Sequence, residues 1–334
     1  MKANESKPKV TAVIEDFLRH CEFEKKLSEK TLNAYKADLS QFVSNTGDLG
    51  IFEVTKDVLR KYLQAISHFR HKTIKRKIAT IKAMLSYYEY ENEWYNSPMR
   101  KMKIRMREPI RLPTVMSIKD VKALLNIVYK QRADCKSATF SYQMATRNIA
   151  IIELLFASGM RVSELCDLRL CNLDMKKGCV RIIGKGNKER IIDISQKATL
   201  AAIKDWLNER GPCDSQSPLF VSRLHNTLST QSVRLLIKNL VASSLIKKKI
   251  TPHTFRHTYA TLLLEGGVDI TYIQHLLGHS SVVTTQIYTH VNLQKQHEIL
   301  SKKHPRRLIY IYRILSFLDS SKHPTKPYDI ISNT

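Results

Sequence analysis

Apolar residues recur at helical spacing along the first third of the chain. Between positions 28 and 44 they are separated by steps of three, four and three residues, at Leu32, Tyr35, Leu39 and Phe42. Ser28 is a typical N-cap before this pattern, and Thr55 precedes a second one that continues through Ile66. A third pattern covers residues 72–90. We therefore expect residues 1–96 to form a small domain of four helices.

The pattern changes in the second half of the chain. Residues 179–183 and 190–194 are rich in β-branched side chains and flank Gly184-Lys-Gly-Asn187. This predicts a β-hairpin, because glycine and asparagine tolerate the positive φ of a tight turn. Helical patterns surround it, over residues 118–129, 142–158, 198–209, 229–245, 254–265, 270–277 and 292–303. The expected fold class is mostly α with a small β-sheet: a helical domain, then a mixed α/β domain over residues 112–307.

Positive charge dominates the composition. The 334 residues include 55 Lys and Arg against 30 Asp and Glu, a formal net charge of +25. Such a surplus favours a polyanionic partner, and nucleic acid fits best because phosphate neutralisation dominates its binding. An acidic membrane surface is the alternative. We expect a cytoplasmic protein, because the chain starts with polar residues, its six cysteines form no C-x-x-C pair and it has no long apolar run. With DNA as its partner, the protein would be associated with the nucleoid.

Basic residues concentrate where the two domains meet. Residues 70–107 carry eleven Lys and Arg against three Glu, a net charge of +8. Within them, residues 97–111 lack apolar periodicity and are predicted to form a basic linker. A lone basic run is usually a solvated face or a tether, but between two DNA-binding domains we expect it to lie along the duplex backbone. The candidate DNA-binding residues are Lys72, Lys75, Arg76, Lys82, Lys101, Lys103 and Arg105.

Six residues of the second domain together supply what is needed to cut a phosphodiester: Arg161, Lys185, His253, Arg256, His279 and Tyr288. An arginine offers a phosphate two parallel hydrogen bonds. His253 and Arg256 stand three residues apart at a predicted helix start, where the helix dipole favours an anion. Taken singly, each has an ordinary structural interpretation. Glu164, three residues after Arg161, either orients Arg161 or a histidine, or forms an ordinary salt bridge. His257 is interpreted as structural.

The other three candidates lie in predicted turns or near them. Lys185, in the hairpin turn, is placed to protonate a leaving 5′ oxygen, with Lys188 as the competing candidate. His279 follows the helix-ending Gly278 and either has a structural role or donates to a phosphate oxygen. Tyr288 is the candidate nucleophile. Its phenol needs cationic neighbours, because the unperturbed pKa is about 10.

This chemistry requires neither a metal nor a nucleotide cofactor. The sequence contains no H-E-x-x-H, no G-x-x-x-x-G-K-[ST] and no D-D-E carboxylate cluster. Two arginines, two histidines and a lysine suffice to stabilise the negative charge of a pentavalent phosphorus transition state. Attack by Tyr288 stores the bond energy in a 3′-phosphotyrosine, from which a 5′-hydroxyl rejoins the strand without ATP.

Several segments resemble the tyrosine recombinase (phage integrase) family: G-M-R-V-S-E-L (159–165), G-K-G-N-K-E-R (184–190), H-T-F-R-H-T-Y-A-T (253–261), L-L-G-H-S (276–280) and T-Q-I-Y-T-H (285–290). Residues 28–39 are similar to its core-binding, SAM-like domain. The resemblance covers residues 10–307 and implies a two-domain, Xer-like or mobile-element member. It implies that Tyr288 attacks while the other five residues activate the phosphate. Four protomers, of one or two kinds, would exchange strands on double-stranded DNA with inverted-repeat sites.

Two other functions remain open at this point. A type IB topoisomerase uses a similar set of residues but nicks and reseals one strand as a monomer. A non-catalytic DNA-binding protein would use the same fold without the chemistry. Residues 308–334 have no counterpart in the family; their apolar positions predict an amphipathic helix, at Leu308, Ile311, Ile314, Leu315 and Leu318.

Overall fold

The structure is a computed structural model that describes residues 8–102, 104, 113–183, 189–278 and 293–309. For Lys101 and residues 293–297 it describes the backbone alone. The chain divides into two compact units, residues 1–111 and 112–334. In the described part of the chain, no helix has both the length and the apolar character that a membrane span requires.

The first unit is built from four α-helices. They are α1 (Val10–Arg19), which continues into a π-helical turn (His20–Glu24), α2 (Glu29–Thr46), α3 (Lys56–Ala65) and α4 (His71–Glu91). The predicted caps form, since the hydroxyls of Ser28 and Thr55 accept backbone N–H groups at the starts of α2 and α3. The inward faces bury a core that includes Phe17, Leu39, Phe42, Tyr62 and Ile81.

A buried carboxylate joins α2 to the basic helix α4. Asp38 is fully buried and accepts hydrogen bonds from Lys77 Nζ at 2.9 Å, from Arg76 Nη1 and from the hydroxyl of Thr80. Lys77 is itself only 5% exposed. The positive charge of Lys77, which the sequence places in the basic segment, is therefore part of the core of the unit.

The start of the predicted linker packs on this unit. Ser97 caps a short 3₁₀ turn (Pro98–Lys101), and its N–H donates to Glu89 on α4. Met99 is buried in the helical core, and Met102 packs against it. Residues 97–102 thus add apolar side chains to the first unit, although their sequence shows no helical periodicity.

The second unit contains eight described helices and one sheet. The helices are α5 (Ile118–Ala133), α6 (Phe140–Ser158), α7 (Val162–Asp167), α8 (Lys197–Arg210), α9 (Thr230–Ala242), α10 (Pro252–Glu265), α11 (Ile270–Leu277) and α12 (Leu293–Lys303). Short 3₁₀ turns cover Leu170–Asn172 and Pro305–Leu308.

The sheet is antiparallel, with strand order β1 (Leu173–Asp174), β2 (Cys179–Ile183) and β3 (Glu189–Asp193). In its register Val180 lies opposite Ile192, and both side chains are buried. The alternate positions Arg181 and Ile191 are exposed, as the period of two along a strand requires.

Helix α6 is the centre of the second unit. Its residues 149–158 are all buried, and α5, α8 and α10 pack around it. The helix ends at Gly159, which has a left-handed φ of 58°. A Cβ at this position would lie 2.6 Å from the ring of Tyr259, so both the backbone and the packing require glycine. The chain can therefore turn sharply and present Arg161 directly after the core helix.

The predicted fold class, mostly α with a small sheet, is confirmed. The structure corrects several details. The predicted helix over residues 229–245 ends at Ala242, and the first strand and α7 were not predicted. Both are too short for periodicity to be measured. The predicted amphipathic helix of residues 308–334 lies outside the described residues, apart from Leu308 and Ile309.

Candidate active site

Arg161 stands at the junction of two helices. It is the N-cap of α7, and its backbone N–H donates to Glu164 Oε2 at 2.7 Å. Its guanidinium donates to Glu164 Oε1 at 2.8 Å and to the carbonyl of Gly278 at 3.1 Å. The side chain stays 39% exposed, and these described contacts use one N–H each at Nη1 and Nη2. Arg161 thus keeps further donors for an anion.

Glu164 is the carboxylate at the centre of this arrangement. It is buried and binds Arg190 as well as Arg161: Arg190 Nη1 lies 3.0 Å from Oε1, and Nη2 lies 2.7 Å from Oε2. Burial alone would raise the pKa of Glu164, but hydrogen bonds and charge from Arg190, together with the hydrogen bonds from Arg161, outweigh it and hold the pKa below its usual range. Glu164 is therefore ionised at neutral pH.

Arg256 and His253 come from the start of α10. Thr251 caps this helix and Pro252 occupies its first turn, as the sequence predicts. Arg256, one turn in, is buried and donates from Nη1 to the carbonyl of Gly159 at 3.0 Å and from Nη2 to that of Leu277. His253 is exposed at the amino-terminal end, where the helix dipole is positive.

Three arginines converge on the last turn of α11. Arg190 Nε donates to the carbonyl of Leu276 at 3.1 Å, Arg256 to that of Leu277, and Arg161 to that of Gly278. These carbonyls lie at the end of a helix, where the helix itself provides no donors. Residues far apart in sequence are thereby fixed around one point, from which the chain continues to His279.

The cluster has an excess of positive charge. Arg161, Arg190 and Arg256 surround one carboxylate, Glu164, so two positive charges remain. Burial, followed by repulsion from Arg161, lowers the pKa of Arg256 to about 10, despite the opposing effect of Glu164. The arginine is still charged at neutral pH. A cationic site of this kind is suited to bind a phosphate group.

His257 lies one turn beyond His253 on α10 and is also exposed. Partial burial, then the charges of His253 and Arg256, lower its pKa below the ordinary histidine value. Among the described residues no hydrogen bond or ion pair joins His257 to the arginine cluster, so its predicted structural role stays a prediction.

The structure brings together some of the predicted residues and leaves others untested. Arg161 and Arg256 meet at α11, with Glu164 between Arg161 and Arg190. Lys185, its competitor Lys188, His279 and Tyr288 lie outside the described residues. Their roles remain predictions.

Arg190 was missed by the sequence reasoning. It was assigned only to a strand, although it belongs to the G-K-G-N-K-E-R stretch that carries the family resemblance. Its side chain is 9% exposed, which is unusual for an arginine in a hairpin. The local charge pattern does not indicate that Arg190 is shielded from solvent, because the partners of this arginine are 26 and 86 residues away in sequence.

The candidate DNA-binding residues divide into two groups. Lys72, Lys75 and Lys82 are exposed on α4, and Arg76 is half-exposed while it binds Asp38. The side chain of Lys101, and both Lys103 and Arg105, lie outside the described residues.

Comparisons with known proteins identify the family. The phage integrase family profile matches residues 115–295, and that of the phage integrase N-terminal SAM-like domain matches residues 14–92. A tyrosine recombinase of Agathobacter rectalis is 42% identical, covering 88% of this chain and 96% of that protein. Tyrosine recombinase XerD of Halalkalibacterium halodurans is 35% identical, with coverage of 88% and 97%.

Solved structures share the fold. The XerH site-specific recombinase, in a pre-cleavage complex with its difH substrate, matches with a TM-score of 0.62 at 23% identity, covering 86% of this chain and 83% of that one. A lambda integrase tetramer bound to a Holliday junction gives a TM-score of 0.63 at 16% identity, with coverage of 84% and 80%. The chain therefore belongs to the phage integrase family and is a site-specific tyrosine recombinase.

Proposed function

We propose that this recombinase cleaves DNA by attack of Tyr288 on a phosphodiester held by Arg161 and Arg256. The phenol releases its proton to water as its oxygen forms a bond to phosphorus. The bond from phosphorus to the 5′ oxygen breaks, so the product is a 3′-phosphotyrosine and a free 5′-hydroxyl. His253 and His279 donate hydrogen bonds to the phosphate, and Lys185 gives the leaving oxygen its proton. A 5′-hydroxyl of another strand reverses the step.

The observation that carries this proposal is the cationic cluster of the second unit. Its arginines are ordered by Glu164 and by backbone carbonyls, which leave two positive charges without a carboxylate partner in the cluster. Such preorganised charge stabilises the transition state more than the ground state, because negative charge on the phosphate oxygens increases during attack.

We propose further that the substrate is double-stranded DNA with inverted-repeat sites, and that four protomers, identical or of two kinds, assemble on it. The XerH structure contains the recombinase bound to a DNA substrate, and the lambda integrase structure contains a tetramer bound to a Holliday junction. Both observations support this proposal. The exposed lysines of α4 suit the duplex backbone. The bacterial nucleoid is then the place of action.

The test is genome-wide trapping of protein–DNA adducts that resist SDS, in cells that express wild type or Tyr288→Phe. Tyr272→Phe is the matched control, because it also removes one hydroxyl from the second unit and that hydroxyl has no hydrogen-bond partner among the described residues. We expect adducts at a few inverted-repeat sites for wild type and the control, and none for Tyr288→Phe. Adducts scattered without sequence preference would instead indicate a topoisomerase activity.

The proton donor is tested on the site so identified. We expect Lys185→Ala to cleave slowly and to recover when the leaving oxygen is replaced by sulfur, a leaving group that needs no proton. Lys188→Ala is the matched control and should need no such replacement. Recovery of Lys188→Ala, and not of Lys185→Ala, would reverse the assignment.

A further inference from the structure

Arg190 is a nearly buried cation beside the proposed site, with a side chain that is 9% exposed, and the proposed mechanism gives it no role. Its guanidinium makes three hydrogen bonds: two parallel ones to the two oxygens of Glu164 and one to the carbonyl of Leu276. A planar arginine fork can make this set, whereas a lysine ammonium cannot make both parallel bonds with the same geometry. The strand β3 is thereby joined to α7 and to α11.

The contacts of Arg190 determine how Glu164 can hold Arg161. Because Arg190 occupies one lone pair on each oxygen of Glu164, the carboxylate plane is fixed. The backbone N–H and Nη1 of Arg161 bind the remaining positions of the same two oxygens at 2.7 and 2.8 Å. Without Arg190, Glu164 would have Arg161 alone as its charged partner and could rotate with it.

Gly278 provides the space for this arginine. A Cβ at Gly278 would lie 3.0 Å from Arg190 Nη1 and 3.3 Å from its guanidinium carbon. The residue also has a φ of +63°, which ends α11. Gly278 therefore permits both the end of α11 and the close approach of Arg190.

We infer that Arg190 is a positioning residue for DNA cleavage: it fixes Arg161 through Glu164 and fixes the end of α11 through Leu276. This inference rests on the proposed function. Arg190 acts through these neighbours and does not itself touch the phosphate. Loss of its fork should disturb the reacting geometry more than the affinity for DNA, since displacements of about 1 Å can lower rates about 100-fold.

The experiment measures single-turnover cleavage of the site found by adduct trapping, with DNA affinity measured in parallel at the same salt. The variants are Arg190→Gln, Arg190→Lys, Glu164→Gln and the double variant Glu164→Gln/Arg190→Gln. Arg181→Gln is the matched control, because it removes the same charge from the neighbouring strand at a side chain that is 47% exposed. We expect Arg190→Gln to cleave about 100-fold more slowly, with an affinity within about three-fold of that of the control.

The dependence of the cleavage rate on pH separates positioning from general loss of structure. In Arg190→Gln one of the two cations that keep Glu164 ionised is gone, so the acid limb of the rate should move to higher pH. Arg190→Lys keeps the charge and should restore the acid limb and part of the rate. The double variant has no carboxylate to titrate, so its residual rate should lack this shift.

The outcomes distinguish failure of this inference from failure of the proposed function. If wild type forms no adduct, the proposed function fails. If wild type is active and Arg190→Gln cleaves within about three-fold of it, the inference is overturned. Should Arg190→Gln not fold, the double variant, which leaves no unpaired carboxylate, carries the test; fast cleavage by the folded double variant would also overturn the inference.

Discussion

A buried ion pair should determine the stability of the second unit. Glu153, in the second half of α6, is fully buried and accepts hydrogen bonds from Arg306 Nε at 2.8 Å and Nη2 at 2.9 Å, and from the hydroxyl of Tyr129 at 2.9 Å. Arg306 follows α12 and is 6% exposed. The pair fixes the chain beyond α12 to the core helix of the same unit. Arg306→Met would remove one partner of this pair.

The size of the effect follows from the burial. Removing one partner of a buried pair costs about 3–5 kcal/mol, because the remaining charge has neither water nor a counter-ion. For a unit of this size, 1 kcal/mol corresponds to about 2–4 °C in Tm, so we expect a decrease of about 6–20 °C. The double variant Glu153→Gln/Arg306→Met removes both charges of this pair and should recover most of the loss.

The assay is urea and thermal unfolding followed by tryptophan fluorescence. The chain has two tryptophans, of which Trp206 is buried in the second unit and Trp94 is exposed in the first. A Trp94→Phe background therefore reports the second unit alone. Arg307→Met is the matched control, since Arg307 is exposed and should cost less than about 1 kcal/mol. A loss below about 1 kcal/mol for Arg306→Met, or no recovery in the double variant, would show that this ion pair does not stabilise the unit as predicted.

Three more predictions follow from single groups. Arg161→Ala should abolish cleavage yet leave DNA affinity largely intact, because many other phosphate contacts contribute; a large loss in a gel-shift titration at fixed salt would contradict this. Burial lowers the pKa of His304 to about 4, whereas the unfolded value is about 6.5. The neutral ring of His304 therefore contributes about 3 kcal/mol to the stability of the folded state above pH 6.5, and this contribution is lost as pH falls toward 4. Urea midpoints at pH 7 and 4.5 should therefore differ more for wild type than for His304→Gln, and equal differences would show that His304 contributes nothing. Asp38→Asn should destabilise the first unit by about 3–5 kcal/mol, because Lys77 stays buried without a counter-ion. The free energy of unfolding is measured from Trp94 fluorescence, and a decrease of less than about 1 kcal/mol would contradict this prediction.

The elements that sequence predicts well are those with local causes. Ser28 and Thr55 cap their helices with their own side chains, and Gly159 ends α6 with its own backbone conformation. The pairing of β2 with β3 follows from two short apolar segments on either side of a glycine-containing stretch of sequence. Each of these features depends on residues within a few positions of one another, so the pattern is visible without the fold.

What the sequence does not show depends on distant partners. The sequence assigns Lys77 to a basic segment and Arg190 to a strand. In the structure Lys77 is buried and the side chain of Arg190 is only 9% exposed, because a carboxylate from another element lies opposite each of them. The choice between the two interpretations of Glu164 could not be made either. It forms a salt bridge and also orients Arg161, since its two oxygens bind both the backbone and the guanidinium of that residue.

The way the arginines are held explains how a strongly cationic site can be ordered before DNA arrives. Had carboxylates held all three, the site would be close to neutral, and a phosphate would have to displace salt bridges in order to bind. The last carbonyls of α11 orient Arg161, Arg190 and Arg256 through partial charges instead, while Glu164 supplies the one full negative charge. The geometry is thus fixed while most of the positive charge stays available, which is the condition under which preorganised charge stabilises a transition state.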